Sequence, residues 1–97
     1  MNIGVLCVNL RMPENACLKD KRRVLSSITS RIKGKFNVSI AEIDHQDSWQ
    51  FASVGIVCVS NNGRHADETL SKVLNSIEAS RQDVEILDHT VEILSAS

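Results

Sequence analysis

The sequence predicts an α+β fold: a four-stranded antiparallel sheet with two helices on one face, built in the chain order βαββαβ. Three observations carry this expectation. Residues 3–11 and 51–60 place apolar side chains at both alternating sets of positions, the pattern of strands inside a sheet. Two stretches, 18–33 and 64–80, repeat apolar residues at three- and four-residue spacing. Met12-Pro13-Glu14-Asn15 and Asn61-Asn62-Gly63 punctuate the chain with turn chemistry.

The first strand sets Ile3, Val5 and Cys7 against Leu6, Val8 and Leu10, with Gly4 inside it, and Pro13 ends it because proline cannot donate to a ladder. The first helix is expected over Leu18–Lys33, its stripe formed by Leu18, Leu25, Ile28 and Ile32 with Val24 at the edge. Asp20 sits in its first turn, where the helix dipole favours an acid, and Gly34 is expected as the residue that ends it. Phe36 to Ile43 reads as the second strand, Asp44–Trp49 as a hairpin connection, and Gln50 or Phe51 to Ser60 as the third strand. The second helix is expected over Arg64–Ser80, with Ala66, Leu70, Val73, Leu74 and Ile77 facing the core. Val84 to Leu94 is the last strand. Its apolar phase switches between Ile86 and Val91, which predicts a bulge near Asp88-His89. Two interleaved split β-α-β units of this kind make the ferredoxin-like sandwich, with strand order 4-1-3-2. Residues 1–97 show no linker, repeat or low-complexity tract and read as a single domain.

The formal net charge of −1 hides a split. Residues 1–35 hold eight Lys/Arg against two acids, and residues 36–97 hold three against ten. Such asymmetry points to partners rather than to fold. Cys7, Cys17 and Cys58 are odd in number with no C-x-x-C, which argues against a disulfide framework or a zinc ribbon. Cys7 and Cys58 read as buried small hydrophobes, and Cys17 as an exposed thiol at a helix start. With no signal-peptide pattern and no apolar run near ~20 residues, the expected location is the cytoplasm, away from membranes.

Two segments carry a family resemblance. Leu18-Lys19-Asp20-Lys21-Arg22-Arg23 and the run from Phe36 to Gln50, in outline F-N-V-S-V-A-E-V-D-x-Q-D-x-W-Q, resemble the small bacterial YlxP-like family. The resemblance covers nearly the whole chain and itself implies a ferredoxin-like fold. Genes of that family often neighbour those of translation-initiation and ribosome-maturation factors, which implies a ribosome- or RNA-associated accessory role. Two positions depart from the pattern. Cys17 stands where serine is usual, so the first helix's cap moves to Asn15 or is lost. Gly63 stands where an acid is common, so Asn61 or Asn62 caps the second helix.

Candidate functional residues fall in two groups. Arg11, Lys19, Arg22, Arg23, Lys33 and Lys35 form a basic set, and those on the first helix's solvent side suit the phosphate backbone of ribosomal or other structured RNA. The same pattern also fits a plain solvated face, or docking onto the acidic half of a neighbouring copy. Lys21 projects toward the apolar side, where its stem is expected to run along the core and its ammonium to reach water. Asp44, His45, Gln46, Asp47, Trp49 and Gln50 form a polar cluster around the only tryptophan. It reads as a turn in which Asp44 and Asp47 bond backbone amides and Trp49 caps the core edge, or as a protein contact. A third reading is a metal or acid–base site at Asp44, His45 and Asp47, though contiguous residues on a strand point to alternate faces.

Other activities of the fold find no support. Three aromatics are too few for a base-stacking platform, the first loop lacks C-x-x-C and glycine, and no G-x-x-x-x-G-K-[ST], G-x-S-x-G or H-E-x-x-H occurs. The expectation is a non-enzyme without cofactor or small-molecule substrate. The sheet face away from the helices should carry Ile3, Val5, Cys7, Val57 and Val59, rimmed by Asn9, Arg11 and Glu92, a surface suited to homodimerisation or another protein.

Overall fold

The structure, a computed structural model, describes residues 1–80 and 83–96. Its elements are β1 (Asn2–Arg11), α1 (Leu18–Lys35), β2 (Ser39–Asp44), β3 (Phe51–Ser60), α2 (Gly63–Ser80) and β4 (Glu85–Ser95). They form one sheet in the order β2-β3-β1-β4, the expected 4-1-3-2 read from the other edge. All pairs are antiparallel. β1 and β3 pair over their whole length, from Asn2 opposite Ser60 to Arg11 opposite Phe51.

Period-two alternation sorts the two sheet faces. Leu6, Val8 and Leu10 of β1 and Ala52, Val54, Ile56 and Cys58 of β3 point to the helices and are buried. They meet Val24, Ile28 and Ile32 of α1 and Ala66, Leu70, Val73 and Ile77 of α2 in one continuous core. Each fully buried aliphatic of this kind contributes about 1.5–3 kcal/mol. α2 lies close on the sheet at Gly4: a Cβ there would stand 2.8 Å from Leu70 Cδ1 and 3.0 Å from Cys58 Sγ. Glycine therefore sets the helix–sheet spacing at that point.

Several boundaries differ from expectation, each for a visible reason. α1 runs through Gly34 to Lys35, and Phe36 ends it in extended backbone while its N–H bonds the Ile32 carbonyl. β2 consequently starts at Ser39 rather than Phe36, and Phe36 and Val38 pack against the core from outside any strand. The bulge in β4 falls at Leu87, between Ile86 opposite Leu10 and Asp88 opposite Asn9. A second bulge, at Ile43 of β2, lays that side chain over Gly55, 3.2 Å from where a Cβ would sit.

The helix starts are capped differently. Asn62 Oδ1 accepts from the N–H groups of Arg64 and His65, as expected for α2. Cys17 caps α1 without a side-chain bond, and Asn15 does not replace it. Asp20 instead reaches back to accept the Ala16 N–H at 2.9 Å. That bond holds its carboxyl below the usual carboxylate range against an opposing desolvation cost, with lesser help from Cys17 and the Arg23 charge. Cys58 is buried, Cys7 half-buried and Cys17 exposed.

Candidate functional site

The Asp44–Gln50 segment is fastened to the β1–α1 loop by three bonds and to α1 by a fourth. The Met12 N–H donates to the Gln50 carbonyl at 2.6 Å. Asn15, itself buried, donates from Nδ2 to the Trp49 carbonyl at 3.0 Å. Gln50 Nε2 donates to the Pro13 carbonyl at 3.2 Å. From beneath, Lys21 Nζ donates to the His45 carbonyl at 2.5 Å. His45 sits at φ 64°, a left-handed conformation that costs a non-glycine residue about 1–3 kcal/mol, and the Lys21 bond helps to hold it.

The expectation that Lys21 reaches water is overturned. The residue is 2 % exposed, and its ammonium contacts Glu42 Oε2 at 2.7 Å. That oxygen is itself buried and receives no aligned hydrogen bond, so the contact is Coulombic. The cause is local: Lys21 shares the inward side of α1 with Val24 and Ile28, and Glu42 alternates with Ile40 on the helix-facing side of β2. A lysine and an acid on two apolar stripes satisfy each other. The sequence signal was available, because both charges fall on the wrong side of their elements.

The rest of the cluster lies outside. Trp49 is 54 % exposed and does not cap the core, which is closed at that end by Met12. Asp44 Oδ1 accepts the N–H of its neighbour His45, and Ser48 Oγ accepts the Phe51 N–H, so part of the polarity is turn chemistry. His45, Gln46 and Asp47 are exposed. Among the described residues, no three His, Cys, Asp or Glu side chains gather to hold a metal ion.

The basic set divides. Lys19, Arg22, Arg23 and Lys33 are exposed on the outward side of α1, with Ser26 and Ser30 between them. Among the described residues, none of the four makes an ion pair. Arg11 does not join them: it lies on the opposite face of the sheet, held by Glu85 at 3.2 Å. Lys35 turns aside, its Nζ 5.6 Å from the centre of the Phe36 ring.

The open face carries Ile3, Val5 and Cys7, half-buried, with Val57, Val59, Leu94, Ile43 and Phe51 exposed, Val59 to 64 %. One end is polar and internally paired: Ser53 Oγ donates to Asn9 Oδ1 and Asn9 Nδ2 to Asp88 Oδ1, both at 2.5 Å. Among the described residues, no helix is long and apolar enough to cross a membrane.

Fold and site together define a ferredoxin-like domain with a stapled β2–β3 loop, a cationic helix face and an open sheet. The profile of the family described as "Protein of unknown function (DUF503)" matches residues 3–91, and the chain belongs to that family. It is 47 % identical over 62 residues to "Uncharacterized protein YlxP" of Bacillus subtilis (strain 168), a match that spans 64 % of this chain and 67 % of that one. Two solved structures share the fold. The de novo designed protein Foldit4 aligns over 100 % of both chains with TM-score 0.56 at 14 % identity. A de novo designed protein with ferredoxin fold aligns over 97 % of this chain and 83 % of its own, with TM-score 0.53 at 9 % identity.

Proposed function

We propose that the protein is a non-enzymatic accessory factor that binds the phosphate backbone of structured RNA through the outward face of α1, with ribosomal RNA as first candidate. One observation carries the reading: Lys19, Arg22, Arg23 and Lys33 face solvent together, and among the described residues no carboxylate pairs with them. They span about 21 Å of helix axis, long enough to follow several phosphates. Such contacts are sequence-independent and salt-sensitive. The ribosome enters only through the family resemblance and its gene neighbourhood. The test is co-sedimentation with ribosomal subunits at low salt. The native protein is expected to pellet with them and the Arg22→Glu, Arg23→Glu variant to stay in the supernatant; equal pelleting would overturn the reading.

The open sheet face favours a second role, self-association. Three paired strands of ten or eleven residues and one of six cover roughly 600 Å² per copy, so two copies covering the whole face would bury roughly 1,200 Å², the lower limit of specific interfaces. Its polar end is already internally paired through Asn9, Ser53 and Asp88, which leaves the aliphatic end free to meet its copy. Sedimentation equilibrium is expected to show a dimer that Val59→Glu abolishes, and a monomer at high micromolar concentration would end this idea.

A further inference from the structure

Beside the outward face of α1 lies a different concentration of positive charge. The groove between the C-terminal half of α1 and the middle of α2 forms a cavity of about 320 Å³, lined by Arg31, Lys35, Phe36, Lys72, Asn75 and Ser76. That volume is at the lower end of the ~300–1,000 Å³ range of small-molecule sites. No acid lines it, in a chain whose acids outnumber its lysines and arginines. Glu68 lies one turn before Lys72, but among the described residues it makes no ion pair, and it does not line the cavity. Among the described residues, Arg31, Lys35 and Lys72 are likewise without an ion pair. Lys35 Nζ stays near the Phe36 ring at 5.6 Å. The same Lys35, Phe36 and Lys72 border an adjoining cavity that adds His65, again with no acid.

A second observation comes from beneath the cations. Ser76 lines the groove, is 7 % exposed, and its Oγ is buried without a hydrogen-bond partner. Native proteins rarely leave such a hydroxyl unmade. Asn75, on the same wall, adds an amide that can donate. Two ammonium groups, one guanidinium, an amide and an unsatisfied hydroxyl around one cavity form a donor-rich, acceptor-poor setting.

We propose that this groove binds a dianionic phosphate group, either free or carried by a small molecule such as a nucleoside monophosphate. Arg31 supplies a fork suited to two phosphate oxygens, Lys35 and Lys72 supply point charges from opposite walls, and Ser76 can donate only if its buried hydroxyl turns toward the groove. A phosphomonoester carries ≈ −1.5 to −2 charge at neutral pH, which matches three cations lining one groove better than a carboxylate does. The site is separate from the α1 face that the RNA reading uses, so either can fail alone.

The test uses the full chain and follows backbone amide shifts by NMR during titration with inorganic phosphate and, separately, with adenosine monophosphate, in chloride buffer. Saturable shifts are expected at Arg31, Lys35 and Lys72–Ser76, and Lys72→Gln should weaken binding about tenfold while Arg64→Gln, which removes a cation elsewhere on α2, leaves it unchanged. Tighter adenosine monophosphate assigns the site to a carried phosphate, and tighter inorganic phosphate to the free anion. Lys72 is exposed, and a matching melting temperature shows the variant folded. Absence of saturable shifts in the groove, or undiminished binding by Lys72→Gln, would overturn the proposal.

Discussion

Lys21 and its neighbours Arg22 and Arg23 carry the same charge on the same turn of α1, in two different settings. Lys21 is sealed against Glu42 and the His45 carbonyl, whereas Arg22 and Arg23 stand in solvent. A step of ~100° around the helix moves a cation from a medium where pairing is obligatory to one where it is worth little. The comparison divides the family's two signature segments by task. The inward charge and the Asp44–Gln50 backbone hold the loops together. The outward charges are left free to meet something else.

Removing the inward charge should have the largest effect on stability. Lys21→Ala strands the buried Oε2 of a Glu42 side chain that is otherwise a quarter exposed, together with the His45 carbonyl, and is expected to cost about 2–3 kcal/mol in urea unfolding. Pairing Lys21→Met with Glu42→Leu should restore most of that loss, since a packed apolar pair can replace a buried ion pair. A double variant as unstable as Lys21→Ala would show that the staple is worth more than relief of an unpaired charge.

The helix start sharpens the contrast on a smaller scale. Cys17→Ser supplies the missing cap and should raise stability by about 0.5–1 kcal/mol, read as a higher unfolding midpoint. Asp20 makes a pH-dependent share of the same cap. Because its folded-state value is lowered, its contribution is present above the unfolded value of about pH 4 and fades as pH falls through the folded value. Native protein and Asp20→Asn should therefore differ in melting temperature at pH 7 and converge in strong acid. A difference that persists unchanged at low pH would assign the effect to something other than the charge. Reversing Arg22 and Arg23 should have the smallest effect on folding, within about 0.5 kcal/mol, because both are exposed and the fold uses only the Arg23 charge, through its weak attraction to Asp20.

Much of the architecture was legible in the sequence because burial on both faces of β1 and β3, and on one face of each helix, leaves a periodic trace. The stripe named Ile28, Ile32, Leu70 and Val73 correctly, and the phase switch in β4 placed its bulge within a residue or two of Leu87. Boundaries were harder. Gly34 lies inside α1 because no left-handed turn follows it, and nothing local distinguishes that from a terminus. The candidate site was legible only in part. The outward cations of α1 emerged as a set, but Arg11 parted from them because residue parity put it on the open face. Lys21 ends on Glu42 rather than in water because sequence gives the side a residue faces and not the partner waiting there. Trp49, the obvious anchor by composition, proved exposed, since its backbone carbonyl and not its ring joins the staple. Arg31 and Lys72 lie far apart in sequence and meet only through helix packing.

The division between inward and outward charge is tested most directly by binding of a structured RNA hairpin across a salt series, native protein against Arg22→Glu, Arg23→Glu, with melting temperatures taken alongside. Matching melts are expected, with a native log K that falls with log salt at a slope of about −3 and a variant slope shallower by about two units. Native binding that ignores salt, or a variant that binds as the native protein does, would contradict it.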